Sequence, residues 1–410
     1  MSELRVELYG HLIGWLSGGS WRSFDFRTDR TAFDHFDLGS TVLSESVPLD
    51  VTPNRGRAAR RRNFFAELLP EGRILANLAS RTGVQEYDTL GLLSHFGRDI
   101  AGALQIWDPS QQGEPRTPRI EAVTDQRVRE LLLATTTEPL ANSPFSGKTS
   151  LAGVQDKIVL ARSDGTWHRV HDGYPSTHIV KPESRELPTV IYDEEYGARA
   201  ARALGLTSTD TRLVDFAGVP ALVIERFDRS DSAPTGRIHQ EDMNQVLGAH
   251  GNEKYQELGG KVSLRRIADV LRRNGDTDSL ERLLAMTVLT AALGNLDLHA
   301  KNLSLLHLPD GASTLAPAYD VVPMRHQNTD GRMALAVNGV YQHADLTRAD
   351  LVAEASSWRL RDPDSAIGNT LGVLEAFAAH QEPDRRAYSA LQEDVQRYTA
   401  RLLAGQTVGV

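Results

Sequence analysis

The strongest constraint on how this chain folds is a junction around residue 294. The apolar stretch 279–293 has helical spacing and ends at Gly294. It runs straight into the polar octapeptide Asn295-Leu-Asp297-Leu-His299-Ala-Lys301-Asn302, and the apolar strand-like run 303–307 follows. A polar loop is thus wedged between a core helix and a core strand, where its polar groups must find partners. Two readings are open. A D-x-H-x-x-N segment can be a polar turn that caps itself. It can also serve phosphoryl transfer, which asks for positioning and charge neutralisation. Asp297 would then orient or accept the proton of an attacking hydroxyl, and the amide oxygen of Asn302 would hold Mg²⁺.

Other segments bear on that choice. Leu315-Ala-Pro-Ala-Tyr319-Asp320-Val-Val places an acid after a short strand, where a second Mg²⁺ ligand belongs, although a strand-end turn reads the same way. Kinases commonly carry D-F-G here, and this chain lacks that Gly. Upstream, Thr177-His-Ile-Val-Lys181 sets a lysine at the end of an apolar strand, where it either snorkels to water or meets nucleotide phosphates. Glu194 and Glu195 are equal candidates to pair with it. In Ser150-Leu-Ala-Gly153-Val-Gln155-Asp-Lys157, Gly153 permits close backbone approach, without the G-x-G-x-x-G pattern. Gly147-Lys148-Thr149 mimics the end of a P-loop, but the required first Gly falls on Asn142 and no strand precedes it, so that class is rejected. Glu225-Arg-Phe227-Asp228 is either a hinge whose backbone reads an adenine edge under Phe227 or an ordinary strand end.

Composition narrows the classes. The chain has 410 residues, 40% hydrophobic and 24% charged, which fits two or three packed globular units. No apolar run approaches a membrane span, so no membrane partner is expected. Zero Cys excludes disulfide and thiolate chemistry. The start, MSELRVELYGHLIGWL, alternates like a strand and lacks a basic, apolar leader, so the expected location is cytoplasmic. A net charge of −9 argues against gripping DNA through a broad basic face. The local run Arg55, Arg57, Arg60, Arg61 and Arg62 reads as a solvated helix face ahead of a binding patch. Lysine occurs only at 148, 157, 181, 254, 261 and 301. Ammonium and guanidinium are not interchangeable at a reactive site, so each rare lysine is a marker.

Along the chain, 1–107 shows strand-like runs at 5–9 and 11–16, then a helical stretch over 60–82 interrupted by Pro70-Glu-Gly72. A polar, Pro-rich linker is expected at 108–119 and a helix at 124–134, capped by Thr124 or Asp125. Strands are expected at 157–162, 177–181, 212–216 and 221–227, with a helix at 193–204 ending at Gly205. Helices are expected at 241–247, 264–273, 279–293, 350–355 and 374–403, the last broken at Gln381-Glu-Pro383. A β-rich layer followed by a helical one is a two-lobed α+β plan.

The wording SLAGVQDK, HIVKPE, IERFDR, IHQEDMNQVLG, LDLHAKN and LAPAYDV, in that order, resembles the HipA family of serine/threonine kinase toxins from HipA–HipB toxin–antitoxin modules. NFFAELLPEG and LLSHFGRDIAGAL resemble that family's N-terminal subdomain. The resemblance implies a protein-kinase-like fold with a β-rich N-terminal part and an all-helical C-terminal lobe. Its divisions would be the subdomain at 1–107, linker and helix at 108–149, kinase N-lobe at 150–235 and C-lobe at 236–410. It implies ATP and Mg²⁺ as cofactors, Asp297 as catalytic aspartate, and Asn302 with Asp320 as metal ligands. Lys181 and the loop of Ala152, Gly153, Val154, Gln155, Asp156 and Lys157 would take the ATP phosphates. Glu225, Arg226 and Phe227 would take adenine, with His299, Lys301 and Tyr319 lining the nucleotide. Ser150 would be autophosphorylated and so silence the kinase. Implied partners are a HipB-like helix-turn-helix antitoxin, operator DNA reached mainly through it, and a protein substrate such as glutamyl-tRNA synthetase. The alternatives are a small-molecule kinase of the aminoglycoside phosphotransferase type and an inactive kinase fold acting as co-repressor.

Overall fold

A computed structural model describes residues 3–142, 147–151, 153 and 155–409. The chain divides into two compact units. Unit 1 comprises 1–182, 214–250 and 306–312; unit 2 comprises 183–213, 251–305 and 313–410.

Unit 1 contains two sheets. The first orders Asp25–Thr28, His11–Ser17, Leu4–Leu8 and Leu104–Trp107. Leu4, Val6 and Leu8 alternate inward as a strand period requires and meet Phe64, Phe65 and Leu68 in one core. The helical stretch is broken where Pro70-Glu-Gly72 predicts, into Ala58–Ala66 and Gly72–Thr82. The arginine run divides: Arg55, Arg57 and Arg60 are exposed, while Arg61 is buried on Asp25 at 2.6 and 2.8 Å.

The second sheet orders Arg119–Val123, Thr166–His171, Ile158–Ser163, His178–Pro182, Val219–Glu225 and Thr211–Phe216. The helix Asp125–Leu133, capped by Thr124 through the N–H of Arg127, buries Val128, Leu131 and Leu132 against it. Residues 108–119, read as a linker, are fastened through Glu114, which lies 3.4 Å from Arg98 and 3.3 Å from Lys148.

Unit 2 is built on the helix Thr277–Leu293, apolar on nearly every side and therefore buried. Val190–Ala203, Leu264–Arg273, Pro363–His380 and Leu391–Leu403 pack on it. The C-terminal half is not all-helical as expected: short strands lie at Ser304–His307, Ser313–Leu315, Arg332–Val337 and Val340–Gln342. The helix expected to begin at 374 begins at Pro363. Asp362 caps it through the N–H of Ser365, with Pro at its first position. No helix among the described residues is long and apolar enough to cross a membrane.

Two buried histidines make both units acid-sensitive. In unit 1 the Nε2 of His239 meets the Leu43 carbonyl at 2.8 Å, and its Nδ1 accepts from the N–H of Ala103. A second proton would face that N–H, and burial with nearby His307 lowers the pKa to about 3. In unit 2 burial lowers His343 to about 4, against the Ala291 carbonyl bond that raises it. Both folded values lie below the ordinary 6.5, so the unfolded chain takes up protons first as pH falls. Stability is complete above about pH 6.5 and is lost toward the folded values, at about 1.4 kcal/mol per pH unit for each histidine. Urea unfolding at pH 6.5 and pH 5 is expected to show each unit weakened by about 2 kcal/mol from this source.

Candidate active site

In unit 2 the helix Thr277–Leu293 ends on Gly294 at φ +65°, whose N–H returns to the Thr290 carbonyl. A Cβ here would lie 2.8 Å from the Cβ of Arg325, so close approach and the left-handed backbone both require glycine. The octapeptide then folds on its own polar groups. The Oδ1 of buried Asn295 accepts the N–H of Asp297 at 3.0 Å, and the Asp297 carbonyl accepts the N–H of His299 at 2.7 Å. Asn302 Nδ2 donates to the same carbonyl at 2.9 Å. The pair Asp297 and Asn302 is therefore fixed through the backbone, with the Asp297 carboxylate left half-exposed.

Tyr319 joins the next segment to this loop. Its hydroxyl donates to the Lys301 carbonyl at 2.7 Å and lies 2.6 Å from Ser304 Oγ. Asp320 follows at φ +55°, a left-handed backbone that costs a non-glycine residue about 1–2 kcal/mol. His299 and Lys301 are buried, and His299 Nε2 lies 3.8 Å from Asp297 Oδ2. Sequence reasoning missed Tyr255, whose hydroxyl donates to Asp297 Oδ1 at 3.4 Å and whose ring meets His299 edge-on. The signal available was its neighbour Lys254, one of the six lysines.

In unit 1 Ser150 is fully buried, with Oγ donating to the Leu68 carbonyl at 3.0 Å and its N–H to the Asp99 carbonyl at 3.0 Å. Ala152 and Val154 lie outside the described residues. Gly153 sits at φ +109°, and a Cβ on it would come within 2.6 Å of Lys157 Nζ. Gln155 Nε2 is buried without a hydrogen-bond partner among the described residues. The Asp156 carboxylate is held by Arg73 at 2.7 Å and Thr135 at 3.3 Å.

Lys181 is buried on the strand His178–Pro182, opposite Leu222. Glu225 ends its strand exposed, and Phe227 is half-buried. The polar groups of Arg226 are committed elsewhere. Its N–H goes to the Thr177 carbonyl at 2.9 Å, and its guanidinium to Asp228, Ser176 and the Ile100 carbonyl. Its carbonyl accepts the N–H of Arg229 at 3.3 Å, which leaves one lone pair with which it can read a base.

The oxygens that would hold a metal are the carboxylate of Asp320 and the Oδ1 of Asn302, whose Nδ2 donates to the Asp297 carbonyl. These are hard oxygens of the kind Mg²⁺ takes, with water and phosphate completing its shell.

Comparison with known proteins places the chain in a family. Residues 149–391 match the HipA-like C-terminal domain and residues 4–107 the HipA N-terminal domain. The chain is 31% identical to the protein Y4mE of Sinorhizobium fredii, over 89% of this chain and 86% of that one. It is 26% identical to the serine/threonine-protein kinase toxin HipA of Shewanella oneidensis, over 85% and 82%. Among solved structures, the complex of Shewanella oneidensis HipA, HipB and operator DNA matches with a TM-score of 0.77 at 24% identity, covering 98% of this chain and 96% of that one. The α+β fold is thus that of HipA, and the chain belongs to the HipA family.

Proposed function

We propose that this protein is an ATP- and Mg²⁺-dependent serine/threonine protein kinase, the toxin of a toxin–antitoxin module. The observation that carries this reading is the loop 295–302. There Asn302 is locked to the Asp297 carbonyl, with an acid left half-exposed beside it and an amide oxygen left for a metal. Asp297 is the catalytic carboxylate, positioned to orient the substrate hydroxyl and take its proton. Asn302 and Asp320 would hold Mg²⁺, which would supply charge neutralisation at the phosphates. Lys181, Lys157 and the backbone around Gly153 bind the phosphates, and the 225–227 segment binds the base. The Shewanella oneidensis relative, a serine/threonine-protein kinase toxin by name, supports the reaction class. The complex in which a HipA sits with HipB and operator DNA supports a HipB-like partner, with DNA contacted mainly through it.

Ser150 is the proposed autophosphorylation site. Its hydroxyl is buried and bonded as described, so the transfer requires this segment to open. Incubating the full chain with Mg²⁺ and γ-labelled ATP, then mapping the label by mass spectrometry, is expected to place phosphate on Ser150. Label found only on an added aminoglycoside would favour a small-molecule kinase, and a chain that binds no ATP would favour the co-repressor reading.

A further inference from the structure

Among the buried charges of unit 1, Asp99 has no part in the chemistry proposed above. We propose that Asp99 is a positioning residue for the nucleotide loop, tying residues 148–150 to the arginine pair that follows the hinge strand. Its contact with the loop is both backbone and side chain. Asp99 N–H donates to the Lys148 carbonyl at 3.1 Å, Ser150 N–H donates back to the Asp99 carbonyl at 3.0 Å, and Asp99 Oδ2 accepts from Thr149 Oγ1 at 3.2 Å. Its other carboxylate oxygen, Oδ1, accepts from Arg229 Nη2 at 3.0 Å and lies 3.9 Å from Arg226 Nη1.

Both arginines also hold Asp228, at 2.8 and 3.0 Å, so two buried guanidiniums face two buried carboxylates. A carboxylate gripped this way cannot swing without leaving a buried cation short of its partner, which makes it a fixed point. Thr149 is held from a second direction by Asn142. Asn142 Oδ1 accepts the Thr149 N–H at 3.0 Å, and Asn142 Nδ2 donates to the Thr149 carbonyl at 2.8 Å. The loop leading to Gly153 and Lys157 therefore starts from a register set by Asp99. Arg226, through its N–H bond to the Thr177 carbonyl, carries the same anchor to the start of the strand that bears Lys181.

A purely structural ion cluster would stabilise unit 1 without affecting ATP, and the test separates the two. It uses Thr149→Val, which removes the hydroxyl and leaves the ion cluster whole, with Thr149→Ser as the conservative control. The nucleotide half of the inference rests on the kinase reading above; the positional half does not. In the full chain, Thr149→Val is expected to speed amide exchange at Ser150 roughly tenfold, since a buried acceptor is left unsatisfied and the segment opens more often. It is also expected to raise the KM for ATP by about the same factor with kcat within about twofold, because binding and not chemistry is lost. Thr149→Ser should restore both. Unchanged exchange at Ser150, or faster exchange spread evenly over unit 1, overturns the positioning role. Faster exchange with an unchanged KM overturns its link to the nucleotide. If the unsubstituted chain turns over no ATP the kinase reading fails, and exchange at Ser150 still decides the positioning.

Discussion

Asp297→Ala is expected to abolish phosphoryl transfer, lowering the rate by about 10²–10⁴-fold, the range for a positioned proton acceptor. The fold should survive. The loop is held by the N–H and carbonyl of residue 297, which alanine keeps, and the carboxylate itself is half-exposed. Its side-chain contacts to Tyr255 and His299 are long, at 3.4 and 3.8 Å. A stability change within about 0.5 kcal/mol is therefore expected in denaturant unfolding. Labelling with ATP, run beside that unfolding curve, gives the answer. Transfer at an undiminished rate in a folded variant would sink the assignment of the carboxylate.

Asp228→Ala is expected to act the other way, on the fold before the chemistry. Asp228 is buried and accepts from both Arg226 and Arg229, from the N–H of Gly102 at 2.8 Å and from Gln240 at 3.0 Å. Burial opposes its ionisation, but the two guanidiniums win and hold the carboxyl far below the usual range. Its stabilising effect is therefore present above the ordinary carboxylate value near 4 and lost as pH falls below it. Removing it leaves two buried arginines with one carboxylate, at a cost of about 3–5 kcal/mol. That is a large part of the 5–15 kcal/mol typical of a domain. Guanidinium titration at pH 7 should show unit 1 unfolding early while unit 2 keeps its midpoint. A midpoint for unit 1 within about 1 kcal/mol of the unsubstituted chain would contradict the account of the cluster.

The loop 295–302 was legible because its polarity interrupts two apolar stretches and its Gly294 stop is local. Helix ends such as Thr124 and Gly205 were legible for the same reason. The structure brings Asp297 and Asn302 together through a carbonyl, and five-residue spacing alone foretells that nearness without the bond. Contacts made across long sequence separations were not legible. Arg226 reads as part of a hinge motif, yet it is spent on the Ile100 carbonyl 126 positions away. Tyr255 reaches Asp297 over 42 positions, with no periodicity to announce it. The strand Thr166–His171 escaped notice because polar His168 and Arg169 interrupt its apolar pattern. The first eleven residues of Pro363–His380 were overlooked although the Asp-Pro start marked them, since Gly368 and Gly372 weaken the helical signal.

The division of the chain bears on how it is made at the ribosome. Unit 1 includes 306–312, and there His307 bonds buried Glu241 at 2.8 Å while its carbonyl takes the Tyr9 hydroxyl, from a residue 298 positions earlier. Translation adds about 5–20 residues per second. A nascent chain therefore waits roughly 15–60 s between the emergence of its first strand and the arrival of the residue that closes it. Glu241, made 66 residues before His307, waits about 3–13 s for its imidazole, so unit 1, although begun first, stays open until 306–312 arrive. The octapeptide of unit 2 has by then been synthesised, but unit 2 still awaits 313–410, and neither unit corresponds to one uninterrupted stretch of the gene.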